Sequence, residues 1–581
     1  MKNKILQLVV FCLAVSVLIF LPAIFTLCSE VYLNVTMSKT GRLPTVDTYK
    51  KLEELVKKES NYIDYPQIIT NDVFVDFADV KSDVSFSGIT GDMAFNTVTE
   101  SAVQSSTDYS STNVQVKGVD EADILKNDGK YIYTIADNKL VIVEAFPANE
   151  LKKISETEIE KGYRAVELYI SGDKLFLITD NLVGNKYSRD VNTKVVVFDI
   201  KDRTNPNEVK TFEVTGTYTS SRKIGEKVYV FTNLFASREN GRYRVPKYRE
   251  NSVSKFQEIE LTNVQYVPND EYTSYTQIIA FDLGTPLNSP KIVTYLGNGA
   301  NNVYMSQENL YMAQNRWNET TIYKFNLEKI YPTYEAKGKV PGTIVNQFAM
   351  DEYDGNFRIA TTKSNVSSVY ILGPSMHKLG SVTNIAPGET IKSVRFEGTR
   401  GYVVTFRNTD PLFVLDLSKV RAPEILGELK IPGYSTYLHT YDENHVIGFG
   451  YDGTEWGTNG KLKVALFDIT DVENPIEKFT EKIDANDSEL LTNHKSLLFS
   501  KEKNLIAFSV GDYYWRNNKN NKVGKVYTIT TENGFELRGE IEHTKDVDRM
   551  LYMDDVLYGV SEAGVSAHNI SNVELINKIE L

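Results

Sequence analysis

Large aromatic side chains stand in polar loops at three places in this sequence. Trp317 lies in NRWNETT, Trp456 lies in YDGTEWGTNG, and Trp515 lies in GDYYWRNNKNNK, where Tyr513 and Tyr514 precede it. Aromatic residues in exposed loops are typical anchors for a bound partner. The alternative is that each ring folds down over its own loop. The sequence predicts that these five rings bind a ligand, by stacking on a sugar face or holding an apolar side chain.

Polar residues near the starts of later strands form a second candidate set. Arg395, His439 and His494 are predicted to surround the mouth of a central channel and to bind a ligand there. A purely structural role is the alternative for each. An enzyme would be favoured if Asp123 met these three residues in one pocket with shifted pKa values. No pair of histidines has zinc spacing, and no nucleophile elbow or phosphate-binding glycine loop occurs, so no catalytic residue is predicted.

The stretch GVDEAD contributes closely spaced carboxylates. Glu121 and Asp123 would point the same way along a strand, and oxygen ligands of this kind suit a hard cation such as Ca²⁺. The spacing fits no EF-hand loop, so a role in capping or in closing a ring is favoured. We therefore predict no cofactor, with Glu121 and Asp123 as weak metal candidates.

One loop is much longer than the rest. It runs from Asn233 to Tyr275 and places basic residues among tyrosines. The basic residues are Arg238, Arg242, Arg244, Lys247 and Arg249. They would add positive charge to the same face as the tryptophans.

The elements that must position these residues form a repeat. A strand with a following turn recurs at intervals of mostly about 40 to 55 residues, which is the range of propeller blades with four strands each. Its clearest copies are the second strands, which begin at Tyr131, Lys174, Lys227, Leu310, Phe357, Tyr402, Val446, Leu505 and Val556. The fold class predicted is all-β: a β-propeller of nine four-stranded blades, with eight as the alternative.

A second phrase repeats within the blades. KVVVFDIKDRTNPNEVKTF and KVALFDITDVENPIEKF each place an Asp after an apolar strand and a Pro before the next one. The Asp should accept hydrogen bonds from backbone amides of the turn, and the Pro should fix the backbone before the outer strand. The Asp residues are Asp199, Asp282, Asp416 and Asp468, and the Pro residues are Pro206, Pro290, Pro423 and Pro475.

The N-terminus has a different composition. Residues 5–27 form a charge-free apolar run after Lys2 and Lys4, long enough to cross a bilayer as a helix. We predict an uncleaved signal anchor with the N-terminus in the cytoplasm and the propeller outside, and a cleaved signal peptide with secretion as the alternative. The domains predicted are 1–30 for the anchor, 31–112 for a juxtamembrane region, and 113–581 for the propeller.

The juxtamembrane region should contain one short helix. Tyr49, Leu52, Leu55 and Val56 recur at helical spacing, and Asp47 could cap the helix. The helix should pack on the main domain, with the membrane surface as the alternative. A Ser- and Thr-rich linker is predicted to follow.

Composition excludes one class of partner. The formal net charge is −13, which argues against binding of DNA or RNA through a dense basic face. Both cysteines, Cys12 and Cys28, lie in or beside the apolar run, so no disulfide can hold the propeller together.

Two longer motifs carry a resemblance to a known family. They are TNVQVKGVDEADILKNDGKYIY, from Thr112 to Tyr133, and GELKIPGYSTYLHTYDENHVIGFG, from Gly427 to Gly450; NHKSLLF from Asn493 accompanies them. With these motifs the chain resembles the secreted β-propeller family of archaea and some bacteria, which is distantly similar to WD-repeat proteins and has LVIVD-like repeats. The resemblance implies the fold, one N-terminal export segment and an extracytoplasmic location. It implies no established activity.

Three functions are compatible with these observations. The favoured one is a membrane-anchored binding module for a glycan, a cell-envelope polymer or a partner protein, engaged at the loop face. The alternatives are a hydrolase or lyase that uses polar residues of the channel, and a structural scaffold of an envelope complex. Fold alone does not separate them, because propellers host all three.

Overall fold

Nine four-stranded blades follow one another from Leu125 to the C-terminus of this chain. The computed structural model describes residues 43–60, 106–183, 190–251, 254–329, 331–406, 410–454, 457–512 and 522–581. Within each blade the strands pair antiparallel in chain order. The predicted propeller is confirmed, and it has nine blades rather than eight.

The strands are numbered β1 to β41 in chain order. The innermost strands are β1 (Leu125–Asn127), β5 (Tyr163–Ser171), β9 (Thr217–Ile224), β18 (Asn302–Met305), β22 (Met350–Tyr353), β26 (Thr390–Glu397), β30 (Tyr434–Asp442), β34 (Leu498–Ser500) and β38 (Arg549–Met553). The second strands are β2 (Tyr131–Ala136), β6 (Lys174–Val183), β10 (Lys227–Phe235), β19 (Asn309–Arg316), β23 (Asn356–Lys363), β27 (Arg400–Phe406), β31 (His445–Thr454), β35 (Leu505–Val510) and β39 (Val556–Ser561).

The outer half of each blade is built in the same way. The third strands are β3 (Lys139–Glu144), β7 (Asp190–Asp199), β16 (Ser274–Asp282), β20 (Glu319–Asn326), β24 (Val366–Leu372), β28 (Asp410–Asp416), β32 (Gly457–Asp468), β36 (Val523–Thr530) and β40 (Gly564–Asn569). The outermost strands are β4 (Lys152–Glu158), β8 (Asn207–Thr215), β17 (Lys291–Gly297), β21 (Thr333–Pro341), β25 (Lys378–Ile385), β29 (Glu424–Ile431), β33 (Ile476–Ile483), β37 (Gly534–Ile541) and β41 (Leu575–Glu580).

The repeated Asp closes the turn between the third and outermost strands, as predicted. A side-chain oxygen of each Asp accepts a hydrogen bond from the backbone amide two residues later, at 2.8–3.0 Å. Each predicted Pro stands directly before an outermost strand. The phrase is therefore a structural part of the blade and not a binding site.

Apolar side chains between neighbouring blades form the core. Each pair of adjacent blades shares a buried cluster, and one such cluster joins blade 9 to blade 1. There Tyr558 donates a hydrogen bond to the carbonyl of Ala145 at 2.6 Å. The ring is thus closed by packing between the first and last blades, because each blade takes its four strands from one continuous stretch of chain.

Glycines in four outermost strands allow the next blade to approach closely. A Cβ atom at Gly380 would lie 2.3 Å from the carbonyl oxygen of Val420, and one at Gly427 would lie 2.2 Å from that of Val472. Gly338 and Gly539 face residues of the following blade in the same way, at 2.8 Å. These positions set how tightly successive blades pack at the rim.

The long loop of blade 3 is a folded insertion. It contains β11 (Arg238–Glu239), β12 (Arg242–Tyr243), β13 (Lys247–Glu250), β14 (Gln257–Glu258) and β15 (Val264–Tyr266). β13 pairs with the outermost strand of blade 2, and β15 pairs with the outermost strand of blade 3. The insertion therefore widens two neighbouring blades.

One helix, α1 (Tyr49–Ser60), packs on this insertion. Leu52, Leu55 and Val56 are buried against it, in agreement with the predicted packing on the main domain. The predicted cap is wrong: Thr48 Oγ1 accepts from the amide of Lys51 at 3.2 Å, while Asp47 has φ +60° and bonds Thr45 instead. No helix among the described residues is long and apolar enough to span a bilayer, and residues 5–27 lie outside the described ranges.

Candidate functional site

The loop face is the face of the ring that carries the turns between second and third strands and the connections between blades. Trp317 lies there, in the β19–β20 hairpin, and 87% of its surface is exposed. Its φ is +45°, a left-handed conformation that costs a bulky residue about 1–2 kcal/mol. The ring has little packing that could offset this strain. The alternative that Trp317 folds over its own loop is therefore wrong.

Trp456, Tyr513, Tyr514 and Trp515 lie outside the described residues. Two exposed apolar side chains that we did not predict lie on the same face: Phe235 ends the second strand of blade 3, and Val345 lies in the connection that follows blade 4. That connection is tied to the Trp317 hairpin through Asn315, which bonds both backbone groups of Ile344 at 2.9 and 3.0 Å.

Residues 106–123, here called the strap, cross the centre of the ring. On the side of blade 9, the backbone amide of Ser110 donates to the carbonyl of Tyr552 at 3.0 Å. Asn113 Nδ2 donates to the hydroxyl of Tyr437, in the innermost strand of blade 7, at 3.0 Å. The first part of the strap is thus bound to the late blades.

The second part of the strap is bound to the early and middle blades. Gln115 Nε2 donates to the carbonyl of Gln347, before blade 5, at 2.9 Å. The amide of Asp120 donates to the carbonyl of Lys223 in blade 3 at 2.8 Å. The strap therefore contacts blades on opposite sides of the ring and crosses the central channel.

Glu121 is buried in the strap and is surrounded by positive charge. Its carboxylate accepts from the amide of Gln115 at 3.0 Å and lies 3.3 Å from His494 Nε2 and 3.8 Å from Arg222. Burial alone would raise the pKa of Glu121, but Arg222 and His494 lower it well below its ordinary value. The group is therefore an ionised partner in a salt bridge.

Asp123 binds a different cation. Its carboxylate receives hydrogen bonds from Arg549, the shortest at 2.9 Å, and Arg549 also donates to Glu489 at 2.7 Å. Burial opposes ionisation of Asp123, yet Arg549 and Lys495 lower its pKa. This contact joins the strap to the first strand of blade 9. It agrees with the ring-closing role favoured from the sequence.

Beside the strap lies a polar cavity of about 280 Å³, here called the central recess. Its ionisable lining residues are Glu121, Glu167, Arg222, His494 and Lys495. Lys495 forms an ion pair with Glu167 and donates to the carbonyl of Ala122 at 2.8 Å. Both signs of charge are thus present and paired within the recess.

One wall of the central recess is aromatic. Phe348, held by a 3₁₀ turn that Asn346 caps, meets His494 edge-on, with 4.8 Å between ring centroids, and also meets Tyr437. Behind it, Tyr437 bonds His439 Nδ1 at 3.2 Å. Arg395 lies over Phe348 at 5.9 Å.

The structure brings Arg395, His439 and His494 together around Phe348 and Tyr437, and of these three residues His494 lines the central recess. Ligand binding by the three residues stays a prediction. Burial, Arg395 and His494 lower the pKa of His439 to about 3, so its imidazole is neutral at pH 7. Asp123 does not join this group, because Arg549 holds it elsewhere. No cluster suited to a metal ion occurs among the described residues.

Several residues of this centre were missed by sequence reasoning. Glu167, Arg222, Lys495 and Phe348 come from four separate blades or connections, and no local motif marks them. The available signal was the acidic stretch GVDEAD itself. Buried carboxylates need nearby cations, so the stretch implied buried partners elsewhere in the chain.

Fold and centre together define a nine-bladed β-propeller with a peptide strap across its centre and an exposed loop face. Residues 109–573 match the family model described as the beta propeller domain, and the chain belongs to that family. The resemblance noted from the motifs is thereby confirmed.

Similar proteins come from archaea. An uncharacterized protein of Methanocaldococcus jannaschii is 28% identical over 590 aligned positions, covering 84% of this chain and 86% of that protein. An uncharacterized protein of Archaeoglobus fulgidus is 28% identical over 552 positions, covering 81% of this chain and 85% of that protein. Among solved structures, the WD40 domain of Toxoplasma gondii coronin matches 54% of this chain and 76% of its own, with 12% identity and a TM-score of 0.32.

Proposed function

We propose that the chain is an extracytoplasmic binding module, anchored by residues 5–27, whose loop face captures a glycan, a cell-envelope polymer or a partner protein. The observation that carries this proposal is Trp317. A large ring on a strained turn, with 87% of its surface open to solvent, is better explained by a bound partner than by folding.

The paired charges of the ring centre support binding over catalysis. Glu121, Asp123 and Glu167 each have a cation beside them, and each of these cations is itself buried or half-buried. A general acid or base needs a proton that can be exchanged with substrate. Carboxylates that are paired with cations hold the strap in place instead of exchanging protons with a substrate.

Membrane attachment is supported by the sequence. Residues 5–27 are apolar and follow Lys2 and Lys4, the order expected when the chain that follows is exported. Fractionation of cells with N-terminal sequencing tests this part. A mature chain that starts near Ser29 and is found in the medium would contradict the anchor.

Binding is tested with the full-length chain immobilised in detergent and exposed to envelope extract, with captured glycans and proteins identified by mass spectrometry. Trp317→Ala should reduce capture by about tenfold or more, because an aromatic hot spot is worth ~2 kcal/mol. Tyr353→Ala is the matched control, since Tyr353 is exposed on the turn between first and second strands, on the opposite face. Equal capture by Trp317→Ala and by the unchanged chain would overturn the loop-face assignment.

A further inference from the structure

A large cavity lies at the rim, away from the centre. It has a volume of about 800 Å³ and is here called the rim groove. One wall is the widened edge of blade 2, including Tyr248 and Glu258. Tyr331 belongs to the connection between the third and outermost strands of blade 4, and so lies toward the face opposite Trp317.

The N-terminal part of the described chain completes the groove. Thr45 forms a β-bridge with Gln265, and Leu43 lines the cavity. The outer edge of blade 3 is thereby extended by β15 and by the segment around Thr45. The groove thus depends on the insertion and on the chain before α1, not on the propeller repeat alone.

We propose that the rim groove binds a neutral oligosaccharide. A cleft of this size holds a ligand of several rings, within the ~300–1,000 Å³ usual for binding pockets. This site is separate from the loop face, and so the inference goes beyond the proposed function.

The aromatic residues of the groove differ in exposure: Tyr248 is partly exposed but stacks on Phe212, with 5.9 Å between ring centroids. Tyr295 and Tyr334 are 6% and 8% exposed and form the floor, while Tyr331 is 38% exposed. The flat face of a sugar ring can lie against such a tyrosine, with its C–H bonds toward the π system. Tyr331 is therefore the stacking residue.

The polar residues supply acceptors and donors with little net charge. Three carboxylates and two ammonium groups line the groove: Glu250, Glu258, Glu260, Lys291 and Lys329. Glu250 and Glu258 are also paired with lysines outside the lining, Lys210 at 3.1 Å and Lys247 at 3.6 Å. A near balance of charge gives no general attraction for a polyanion. Carboxylates with amide and hydroxyl side chains suit the many hydroxyl groups of a neutral sugar.

A peptide fits this lining less well. Peptide recognition needs apolar pockets that desolvate anchor side chains. Among the apolar residues of the groove, Leu43, Ile259 and Val293 are each less than 10% exposed and offer no pocket. Tyr331 is the most exposed ring, and Tyr248 and Ile292 are partly exposed, so the accessible apolar surface consists of small patches among polar groups.

The test uses the full-length chain in detergent and isothermal calorimetry with short maltose-, cello-, manno- and chito-series oligosaccharides. At least one series should bind. Tyr331→Ala should weaken that binding by about tenfold or more, while Tyr331→Phe keeps the ring and most of the affinity. Glu260→Gln should weaken it severalfold, because an ionised acceptor makes the stronger hydrogen bond.

Two variants separate this site from the loop face. Tyr353→Ala should leave oligosaccharide binding unchanged, and a loss of binding in Trp317→Ala that Tyr331→Ala does not show would place the binding at the loop face. Absence of binding to all four series, or binding that Tyr331→Ala does not alter, would overturn the rim-groove proposal. Because capture through Trp317 is measured separately, either proposal can fail without the other.

Discussion

Trp317 occupies a backbone conformation that its side chain does not favour. Asn accepts positive φ more readily, because its short side chain can bond the local backbone. Trp317→Asn should therefore raise the free energy of unfolding by up to about 1 kcal/mol, measured by urea denaturation. A lower free energy of unfolding in this variant would show that the ring packs on the protein after all.

His439 should make stability depend on pH on the acid side. Its pKa is about 3 in the folded protein and about 6.5 when unfolded, so the unfolded chain binds the extra proton between these values. Stability from this residue is fully present above pH 6.5 and is lost as pH falls toward 3. When the pH falls from 7 to 5, the free energy of unfolding of His439→Gln should decrease by about 1–2 kcal/mol less than that of the unchanged chain.

An exposed histidine serves as the control for that measurement. His377→Gln, which changes an exposed histidine, is measured in the same pH series for comparison. If His439→Gln follows the original profile as closely as His377→Gln does, His439 does not contribute to the acid loss of stability.

At the scale of single elements, the glycines of the outermost strands set the spacing of the blades. Gly427→Ala would place a Cβ atom 2.2 Å from a backbone oxygen of blade 7, which the structure can relieve only by moving blades apart. We expect the free energy of unfolding to fall by about 1–3 kcal/mol, the usual effect of overpacking. Gly297→Ala is the matched control, because the nearest atom to its Cβ would be 3.9 Å away. Similar unfolding midpoints for the two variants would contradict this role.

The salt bridge between the strap and blade 9 gives a second prediction for an element. Arg549→Met would leave Asp123 buried without its hydrogen-bonded cation and should lower the free energy of unfolding by about 3–5 kcal/mol. Arg164→Met removes a comparable bond to Asp180, at 2.8 Å, from an arginine that is 63% exposed, and should cost less than about 1 kcal/mol. If thermal denaturation shows the same loss of stability for both variants, burial does not determine how much a salt bridge contributes to stability.

Local patterns explain what could be predicted about the elements. The Asp of each turn bonds an amide two residues away, and each Pro precedes its strand directly, so both are visible in short stretches of sequence. The glycines were missed because their partners lie in the next blade, about 40 residues later in the chain, and the glycine itself looks ordinary. The capping of α1 was misjudged because Asp47 and Thr48 are both common caps, and only the backbone angle at Asp47 separates them.

At the scale of the whole molecule, the ring and its closure were predictable but the strap was not. The alternation of apolar and polar residues and the period of the repeat predict blades, and nine blades must form a closed ring to bury their faces. The strap has no repeat, and Asn113 bonds residues 324 and 381 positions away. The charged centre was therefore predicted in part, through His439, His494 and Arg395, and missed where partners such as Arg222 carry no motif.

The strap should affect the stability of the entire ring. Chains that begin at residues 43, 61 and 113 can be compared by urea denaturation. The second lacks α1, and the third also lacks Ser110 with its bonds to Tyr552. The chain from 113 should be the least stable, because it loses contacts that join blade 9 to the strap. If the chains from 61 and 113 unfold at the same urea concentration, residues 106–112 contribute nothing to closure.

The strap also dictates an order of events during synthesis. Asp123 leaves the ribosome early, while Arg549 is made 426 residues later. At 5–20 residues per second, roughly 20 to 85 seconds separate the two. During that time the strap can bind early blades, but its acidic groups still lack the cation of blade 9. A nascent chain therefore holds an open arc of blades, and the final folding step should occur only after translation has delivered the last blade.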